Sequence, residues 1–273
     1  MVASPAQRDI RRQNMTIRLM TSNIWGDYFG NEVSGRDEKL ERVYRRYMPD
    51  VLGLQEMTDS WHRSPVWERL RGEYAFVPVP TEENTDFTPL LYRKGKLSVV
   101  DSGRILYHTE LDRSKGITWA VFSTVGGHLF AVFNTHFMWR DGVEYDVIRR
   151  YNAMELVGQM RQVKRAYDCP CFFMGDLNCA VDSPAWKYLT GEGYLPVREV
   201  SSERSDLSSW HGDPVRGEDR LFHGSMTSDT WEKSIDHIGA ENRTAAERYI
   251  VVTDQDALDA TDHSPVFADI EVR

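Results

Sequence analysis

The 273-residue sequence has no apolar run long enough to cross a membrane, and its first residues carry arginines but no apolar signal segment. Cysteine is scarce, because only Cys169, Cys171 and Cys179 are present. An odd, tightly clustered set disfavours a disulfide framework, and the usual spacing of zinc ligands is missing. We therefore expect buried, reduced thiols and a cytoplasmic location, with residues 1–15 as a flexible N-terminal tail.

Positive charge is also in deficit. The chain has 33 lysines and arginines against 42 aspartates and glutamates, which gives a formal net charge of −9 at pH 7. Such a surface repels a phosphate polymer unless a local basic patch compensates, so duplex nucleic acid is not the favoured partner. No internal repeat and no linker rich in glycine, serine or proline divides the chain. We expect a single domain over residues 16–273.

Apolar periodicity predicts interleaved strands and helices. Residues 16–22 alternate as a strand, residues 35–48 place apolar side chains at helical spacing, and residues 51–54 form a short apolar strand. Because βαβ crossovers are right-handed, these two strands are expected to lie side by side and parallel. Further along, Gly126-Gly127 predicts a β-hairpin. Interleaving of this kind indicates an α/β protein.

Three further segments receive a prediction. Residues 141–167 form the longest helical pattern, in which the apolar positions step by three or four, at Val147, Tyr151, Met154, Val157 and Met160. Residues 199–230 show little periodicity and are predicted to be a long, functional surface loop. Residues 233–235 are predicted to be a strand that leads into Asp236.

The most informative stretch runs from Cys171 to Asn178. Three apolar residues lead to Met174 and Gly175, and Asp176 and Asn178 follow. The pattern predicts a buried strand, from whose end residues two apart project to the same side. A carboxylate beside an amide suits Mg²⁺, or the hydrogen bonding of a phosphate and its attacking water. The alternative interpretation is a simple Asp-x-Asn turn after a core strand.

Polar side chains follow several other predicted strands. Together the strand ends supply Asn23, Glu56, His136, Asp176, Asn178, Asp236, Asp262 and His263. An acidic cluster repels itself unless a cation occupies it, and carboxylates with amides favour Mg²⁺ or Mn²⁺ over zinc. Each residue alone has a structural explanation, such as a turn cap or a satisfied core histidine. Their joint occurrence after successive strands favours a site.

The motifs around these residues resemble those of the endonuclease/exonuclease/phosphatase superfamily. Its members include pancreatic-type deoxyribonucleases, abasic-site endonucleases, deadenylases, sphingomyelinases and inositol polyphosphate phosphatases. The resemblance runs from residue 16 to the C-terminus and rests on Asn23, Leu54-Gln55-Glu56, Asn134-Thr135-His136, Gly175-Asp176-Leu177-Asn178, Ile235-Asp236-His237 and Thr261-Asp262-His263-Ser264-Pro265. It implies a four-layer α/β sandwich, with two mixed β-sheets packed face to face and helices outside.

The resemblance also implies Mg²⁺-dependent cleavage of a phosphoester by an activated water, with Mn²⁺ as the other candidate ion. Glu56 is then the main metal ligand, and Asn23 and Asp262 lie nearby. Asp176 and Asn178 hold the nucleophilic water and the phosphate.

The histidines complete the implied site. His263, oriented by Asp236, contacts the scissile phosphate, and His136 stabilises the phosphorane charge or assists the leaving group. Members of the superfamily differ over whether Asp176 or a histidine is the general base, and both assignments stay open here. His237 departs from the pattern, since many relatives carry an aromatic residue after the aspartate.

These expectations define a metal-dependent phosphoric ester hydrolase. We favour a phosphodiester of a small molecule, sugar or lipid headgroup as the substrate, because residues 199–230 offer no net basic strip. Aromatic and histidine side chains that suit a compact pocket lie in and just after that segment, at Trp210, His211, Phe222, His223 and Trp231. The alternatives are a nuclease acting on DNA or RNA, as in acidic pancreatic-type enzymes, and a catalytically silent binding protein on the same fold.

Overall fold

The computed structural model describes residues 15–80, 85–107 and 110–272. Of the predicted tail, residues 1–14 lie outside the described residues, whereas Met15 begins the first strand. The strands are β1 Met15–Asn23, β2 Val51–Gln55, β3 Tyr74–Phe76, β4 Leu90–Arg93, β5 Leu97–Leu106, β6 Gly116–Thr124, β7 Leu129–His136, β8 Cys171–Asp176, β9 Tyr194–Pro196, β10 Ser201–Arg204, β11 Val215–Arg216, β12 Phe222–His223, β13 Asp236–Glu241, β14 Ala246–Val251 and β15 Val266–Val272. The α-helices are α1 Arg36–Tyr47, α2 Asp59–His62, α3 Val66–Leu70, α4 Val143–Tyr167, α5 Pro184–Gly191, α6 Val197–Val200 and α7 Gln255–Ala260.

Two large mixed sheets form the centre of the molecule. The seven-stranded sheet has the order β10-β14-β15-β1-β2-β4-β3, and the six-stranded sheet has the order β5-β6-β7-β8-β13-β9. One apolar core joins their inner faces, with Ile17 and Leu19 of β1 packed in the same cluster as Val132 of β7 and Phe172 of β8. The two sheets therefore lie face to face, as predicted.

Helices cover the outer faces. Leu40 and Val43 of α1 share a cluster with Met20 and Leu52 of the seven-stranded sheet. Leu156 of α4 packs with Phe133 and Phe173 of the six-stranded sheet. Strands covered on both faces read as continuous apolar runs, which explains the Phe-Phe-Met sequence of β8. The four-layer α/β sandwich is confirmed.

Strand direction brings several chain segments to one edge. β1 and β2 are parallel, with Asn23 opposite Gln55, and β7 and β8 are parallel, with His136 opposite Asp176. β13 runs antiparallel to β8, so that its first residue, Asp236, lies opposite Asp176. The hairpin predicted at Gly126-Gly127 is confirmed and joins β6 to β7 at the far end of that sheet.

The predicted apolar face of the long helix is wrong in its first half. Val147, Tyr151 and Met154 are exposed, whereas Arg149 and Asn152 are buried. The reason is hydrogen bonding, because these buried polar side chains bond to backbone groups of the segment that precedes α4. The Arg149 guanidinium donates to the carbonyl oxygen of Met138 at 3.0 Å, and the Asn152 side chain accepts from the backbone N–H of the same residue at 3.3 Å.

Residues 199–230 are more ordered than a surface loop. They contain β10, which pairs in parallel with β14 at the edge of the seven-stranded sheet, and the two-stranded ribbon of β11 and β12. The strand predicted at residues 233–235 is wrong. A 3₁₀ turn occupies Trp231–Lys233, closed by a 2.8 Å bond from the N–H of Ser234 to the carbonyl of Trp231, and β13 begins only at Asp236.

The three cysteines are free and buried, as expected. Cys171 and Cys179 line the core beneath α4. Among residues 15–80, 85–107 and 110–272, no helix combines the length and the apolar character needed to span a membrane.

Candidate active site

All eight predicted site residues lie at the edge where β1, β2, β7 and β8 end and β13 begins. Asn23 lies 3.0 Å from Asp176 and 3.3 Å from Glu56, and His136 lies 3.3 Å from Asp176. Across the site, ligand atoms of Asp176, Asp236 and His263 all lie within 4.8 Å of one another. Contacts link the remaining two residues to the cluster, namely Asn178 and Asp262.

Gly175 sets the direction of Asp176. Its φ of 149° is accessible to glycine, and a Cβ at this position would lie 1.9 Å from the carbonyl oxygen of Thr135. Asp176 is fully buried beyond this bend. The glycine thus allows β8 to approach β7 closely while β8 delivers a carboxylate to the site.

Asn178 does not extend the strand. Its φ is 48°, and its backbone N–H donates to Asp176 Oδ1 at 2.8 Å, which forms an Asp-x-Asn turn. The prediction that Asp176 and Asn178 project together from an extended backbone is therefore wrong. The turn nevertheless keeps Asn178 beside the site, where its amide nitrogen donates to the carbonyl oxygen of Phe137 at 3.1 Å.

Glu56 follows directly after β2 with a left-handed φ of 63°. Its Oε2 accepts from the N–H of Gly26 at 2.8 Å, and its Oε1 lies 3.3 Å from the amide nitrogen of Asn23. Burial alone would raise the pKa of Glu56, but the charges of His136 and Lys115 outweigh it and lower the pKa below its ordinary value. A strained backbone at an ionised side chain is typical of functional sites.

Asp262 has the opposite electrostatic character. Burial and the negative charge of Glu56 raise its pKa to about 7, although His263 partly opposes the shift. Its Oδ2 lies 3.8 Å from His263 Nε2. The negative charge of Glu56 disfavours ionisation of Asp262, and a bound cation would relieve this repulsion. Both side chains offer hard oxygen atoms, the ligand type that Mg²⁺ and Mn²⁺ prefer. The residues present therefore fit the divalent ion implied by the sequence.

A buried lysine stands behind His136. Lys115 Nζ lies 2.8 Å from His136 Nε2, and that nitrogen lies 3.3 Å from Asp176 Oδ2. Burial lowers the pKa of Lys115, while the charges of Glu56, Asp112 and Asp176 oppose the shift. For Asp176, burial alone would raise the pKa, but His136 above all lowers it well below the ordinary range. Lys115 and His136 thus help to keep Asp176 ionised.

His263 is the last member of a hydrogen-bonded chain. Ser209 Oγ donates to Asp236 Oδ2 at 2.7 Å, and the same carboxylate oxygen accepts from His263 Nδ1 at 2.8 Å. Burial lowers the pKa of His263, but the charges of Asp236 and Asp262 outweigh it and raise the pKa well above its ordinary value. An imidazole held and charged in this way can donate a proton or a hydrogen bond from Nε2.

Two other histidines have different surroundings. His237 Nε2 bonds to the carbonyl oxygen of Cys179 at 3.0 Å, and its ring packs edge-on against Trp186 at 5.0 Å. It therefore serves the core in place of an aromatic residue. His211 is buried beside Asp262, whose carbonyl accepts from its N–H at 3.1 Å. Within the described part of the chain, neither ring nitrogen of His211 has a hydrogen-bond partner.

Asn134 ties the two sheets together just inside the site. Its amide nitrogen donates to the carbonyls of Leu54 and Thr88 at 2.7 and 2.9 Å, and its oxygen accepts from Gln55 at 2.6 Å. A Cβ on Gly53 would lie 2.6 Å from this side chain. The residue thus fixes the spacing between β2 and β7, and with it the distance between Glu56 and His136.

Sequence reasoning missed Lys115 and Ser209. Lys115 stands before β6 in a stretch without a motif, and only an isolated lysine beside a predicted strand marked it. Ser209 lies in the segment interpreted as a surface loop. Its hydroxyl also accepts from the N–H groups of Ile235 and Asp236 at 3.2 and 3.0 Å, so it fixes the start of β13.

The family model described as "Endonuclease/Exonuclease/phosphatase family" matches residues 20–263. The chain belongs to this family, whose members are phosphoester hydrolases that generally depend on a divalent metal. No protein among curated sequences matches the chain significantly.

Solved structures show the same fold. A family protein from Bacteroides thetaiotaomicron superimposes with a TM-score of 0.78 at 20% identity, covering 96% of this chain and 99% of its own. A mannosyl-6-phosphatase from the same organism gives 0.72 at 19% identity, with 93% and 99% covered. The catalytic domain of human nocturnin, solved with a bound sulfate anion, gives 0.69 at 18% identity, with 94% and 95% covered.

Proposed function

We propose that this enzyme hydrolyses a phosphoester of a small molecule in a reaction that depends on Mg²⁺ or Mn²⁺. The observation that supports this most is the convergence of Glu56 and Asp262 with two aspartate–histidine pairs at one edge of the sandwich. Among the described residues, neither Glu56 nor Asp262 accepts a hydrogen bond from a lysine, arginine or histidine. Positioning and charge neutralisation are the main requirements of phosphoryl transfer. This edge supplies both kinds of group.

Glu56 and Asp262 would hold the ion, and Asn23 lies between Glu56 and Asp176, where its amide links the acids to the rest of the site. When bound, the ion would neutralise phosphate oxygens and lower the pKa of water. The protein contributes the geometry of these ligands, because Gly26 fixes Glu56 through its backbone N–H.

The remaining groups act on the phosphate and the attacking water. Asp176, kept ionised, would accept a hydrogen bond from the water and orient it, and Asn178 would hold a phosphate oxygen. His263, charged and oriented by Asp236, would donate a hydrogen bond to the phosphate. His136 and Lys115 would stabilise the negative charge that develops in the transition state.

The small substrate is supported by charge and by one structural relative. The net charge of −9 opposes a long phosphate polymer. A structure described as a mannosyl-6-phosphatase shares the fold over 93% of this chain, which supports a sugar phosphate as a candidate substrate. Nocturnin and a 2′,3′-cyclic phosphatase also share it, so both mono- and diesters belong in the test.

The test is an activity panel with Mg²⁺ or Mn²⁺ on phosphosugars, phospholipids, aryl phosphodiesters, RNA and duplex DNA. We expect turnover of at least one small phosphoester, lost with a chelator and lost in Glu56→Gln, whose matched control is Glu68→Gln at an exposed helix position. Turnover that persists with a chelator would exclude the metal-dependent mechanism, and full turnover in Glu56→Gln would place the metal elsewhere. Preference for duplex DNA, with a steep salt dependence, would favour the nuclease instead.

A further inference from the structure

Residues 24–32, here called the Phe29 loop, follow β1 at the mouth of the site. Phe29 is fully exposed and has a left-handed φ of 58°, and Trp25 in the same loop has a φ of 53°. Bulky residues rarely adopt this conformation, and an exposed phenylalanine gains nothing from the core. A loop that displays a phenylalanine in this way has a cost in stability that its own contacts do not explain.

The loop is nevertheless held firmly. The buried guanidinium of Arg36 donates to the carbonyl oxygens of Ile24, Trp25, Asn31 and Glu32 at 2.8–3.0 Å. The side-chain amide of Asn31 also donates to the carbonyl of Gly26. Because hydrogen bonds fix the loop on both sides of Phe29, the ring is presented from an anchored segment.

Arg36 also connects the loop to the opposite side of the site. It donates to the carbonyl of Ala260 at 2.8 Å, just before Asp262, and its guanidinium lies 4.9 Å from the ring of Trp25. Trp25 in turn packs edge-on against Phe222 of β12 at 5.3 Å. The Phe29 loop and the β11–β12 ribbon therefore form one apolar wall.

The wall borders the reacting groups. The ring of Tyr28 covers Gly26, where a Cβ would lie 2.5 Å from it, and the N–H of Gly26 binds Glu56. The partly exposed Trp210 flanks His263 through a β-bridge. Aromatic rings thus approach the site from two different chain segments.

The charges around the wall disfavour a second phosphate. Glu56, Asp112 and Asp27 all lie close enough to Tyr28 to raise the pKa of its hydroxyl, after the larger effect of burial. The nearby cation Arg216 is paired with Glu32 at 3.5 Å. A negatively charged group next to the scissile phosphate is therefore disfavoured.

We propose that the Phe29 loop is a substrate-recognition element that stacks against an uncharged planar ring, a nucleobase or an aryl group, adjacent to the scissile phosphate. This inference rests on the proposed phosphoester hydrolysis at the same site. Stacking of a ring on an aromatic side chain corresponds to about a ten-fold or larger gain in affinity.

The first experiment compares substrates that differ only in the ring. Adenosine 5′-phosphate is paired with ribose 5-phosphate, and benzyl phosphate with butyl phosphate, each as monoester and as methyl diester. For the wild-type enzyme we expect kcat/KM to be about ten-fold higher for the ring-bearing member. A preference in both pairs indicates any planar ring, and a preference in the adenosine pair alone indicates a nucleobase. Equal values in both pairs would overturn the proposal.

Variants then locate the preference. Phe29→Ala and Phe29→Leu should both bring the ratio of kcat/KM close to one, because leucine is apolar but has no ring face. Val125→Ala removes an exposed apolar side chain at the far end of the β6–β7 hairpin and should leave the ratio unchanged. Retention of the full preference in Phe29→Leu would show that no ring contact is involved.

Calorimetric binding in Ca²⁺ separates this inference from the proposed function. If no panel compound is hydrolysed but adenosine 5′-phosphate binds about ten-fold more tightly than ribose 5-phosphate, and Phe29→Ala removes the difference, the ring site stands and the hydrolase proposal fails. If compounds are hydrolysed without ring preference, the hydrolase stands and the ring site fails. Neither hydrolysis nor preferential binding would overturn both.

Discussion

The acids contributed by the two sheets differ in how their charge is balanced. On the six-stranded side, Asp176 lies 3.3 Å from His136 and Asp236 lies 2.8 Å from His263. On the seven-stranded side, Glu56 is bonded to the N–H of Gly26 and the amide of Asn23, which are neutral. The two pairs therefore differ in burial and in partners, because Asp176 and Asp236 are buried beside imidazoles, whereas Glu56 and Asp262 are partly exposed.

This difference suggests a division of labour. The six-stranded side compensates its own charge, since His136 lies beside Asp176 and the charge of Asp236 favours the protonated form of His263. On the seven-stranded side the pKa of Asp262 rises to about 7, because burial and Glu56 oppose its ionisation. The first side is prepared to transfer or share protons, and the second is prepared to receive a cation.

Glu56→Gln should have the largest effect, because it removes a carboxylate that is proposed to bind the metal on the seven-stranded side. We expect kcat to fall by about 10⁴-fold, because a bound metal supplies several kcal/mol of transition-state stabilisation. Mg²⁺ affinity, measured by calorimetry, should fall in parallel. Activity at limiting Mg²⁺ that equals the wild type would place the metal elsewhere.

His263→Ala should have the second largest effect, because it removes the imidazole that Asp236 holds on the six-stranded side. We expect a loss of about 10³-fold in kcat, the scale of a preorganised transition-state donor. Asp236→Asn should cost less, and the double variant should be little worse than His263→Ala, because the two residues act as one unit. Additive losses in this cycle would show that they act independently.

Lys115→Met tests whether the lysine belongs to the six-stranded side. Methionine keeps an apolar stem but removes the charge that lies 2.8 Å from His136 Nε2. We expect kcat to fall by about 10²-fold with Mg²⁺ affinity nearly unchanged. A loss confined to metal affinity would instead assign Lys115 to the balance of charge around Glu56. Lys187→Met, in the exposed part of α5, is the matched control.

Ser209→Ala should have a smaller effect on catalysis. Asp236 keeps its bond to His263, but it loses the 2.7 Å hydrogen bond from Ser209 Oγ that holds its carboxylate. We expect kcat to fall by about ten-fold and stability by about 1–2 kcal/mol, since two N–H groups lose their acceptor. A change in stability without a change in the pH profile of kcat would restrict Ser209 to a structural role.

Asp262→Asn tests the charge balance of the seven-stranded side through the free energy of unfolding and not through activity. The pKa of Asp262 is about 7 in the folded protein against an ordinary value of 3.8, so the folded state binds more protons between these values. Its contribution to stability therefore falls as pH rises through that window. In chelator at pH 8, the variant should be about 1–2 kcal/mol more stable than the wild type in urea unfolding, allowing for partial exposure of the side chain. Equal stability at pH 5 and pH 8 in both proteins would contradict this balance.

Part of the site was predictable because Asn23, His136 and Asp176 end strands and Glu56 follows one directly. An apolar run marks each strand, and parallel strands in one sheet end at the same edge, which placed Asn23 with Glu56 and His136 with Asp176. Lys115 and Ser209 escaped prediction, since neither follows such a run. Their roles arise from contacts with residues 21 and 27 positions away in the chain.

The apolar periodicity also gave a wrong prediction where buried polar side chains form hydrogen bonds to the backbone. The first half of α4 turns Tyr151 outward because Arg149 and Asn152 bond to Met138 on the inner face. Periodicity reports the spacing of apolar residues, but it does not predict which carbonyl oxygen accepts a hydrogen bond from an arginine.

The sequence by itself determined most of the core strands and helices, because these depend on local periodicity. Its ordered motifs indicated the family and the groups that meet at one edge. Only the tertiary structure decided which acids are charge-compensated, which lysine stands behind His136, and that Phe29 is displayed on a loop held by Arg36. These properties depend on distances across the interface between the sheets and on burial, which alter pKa values and contacts only after the chain has packed.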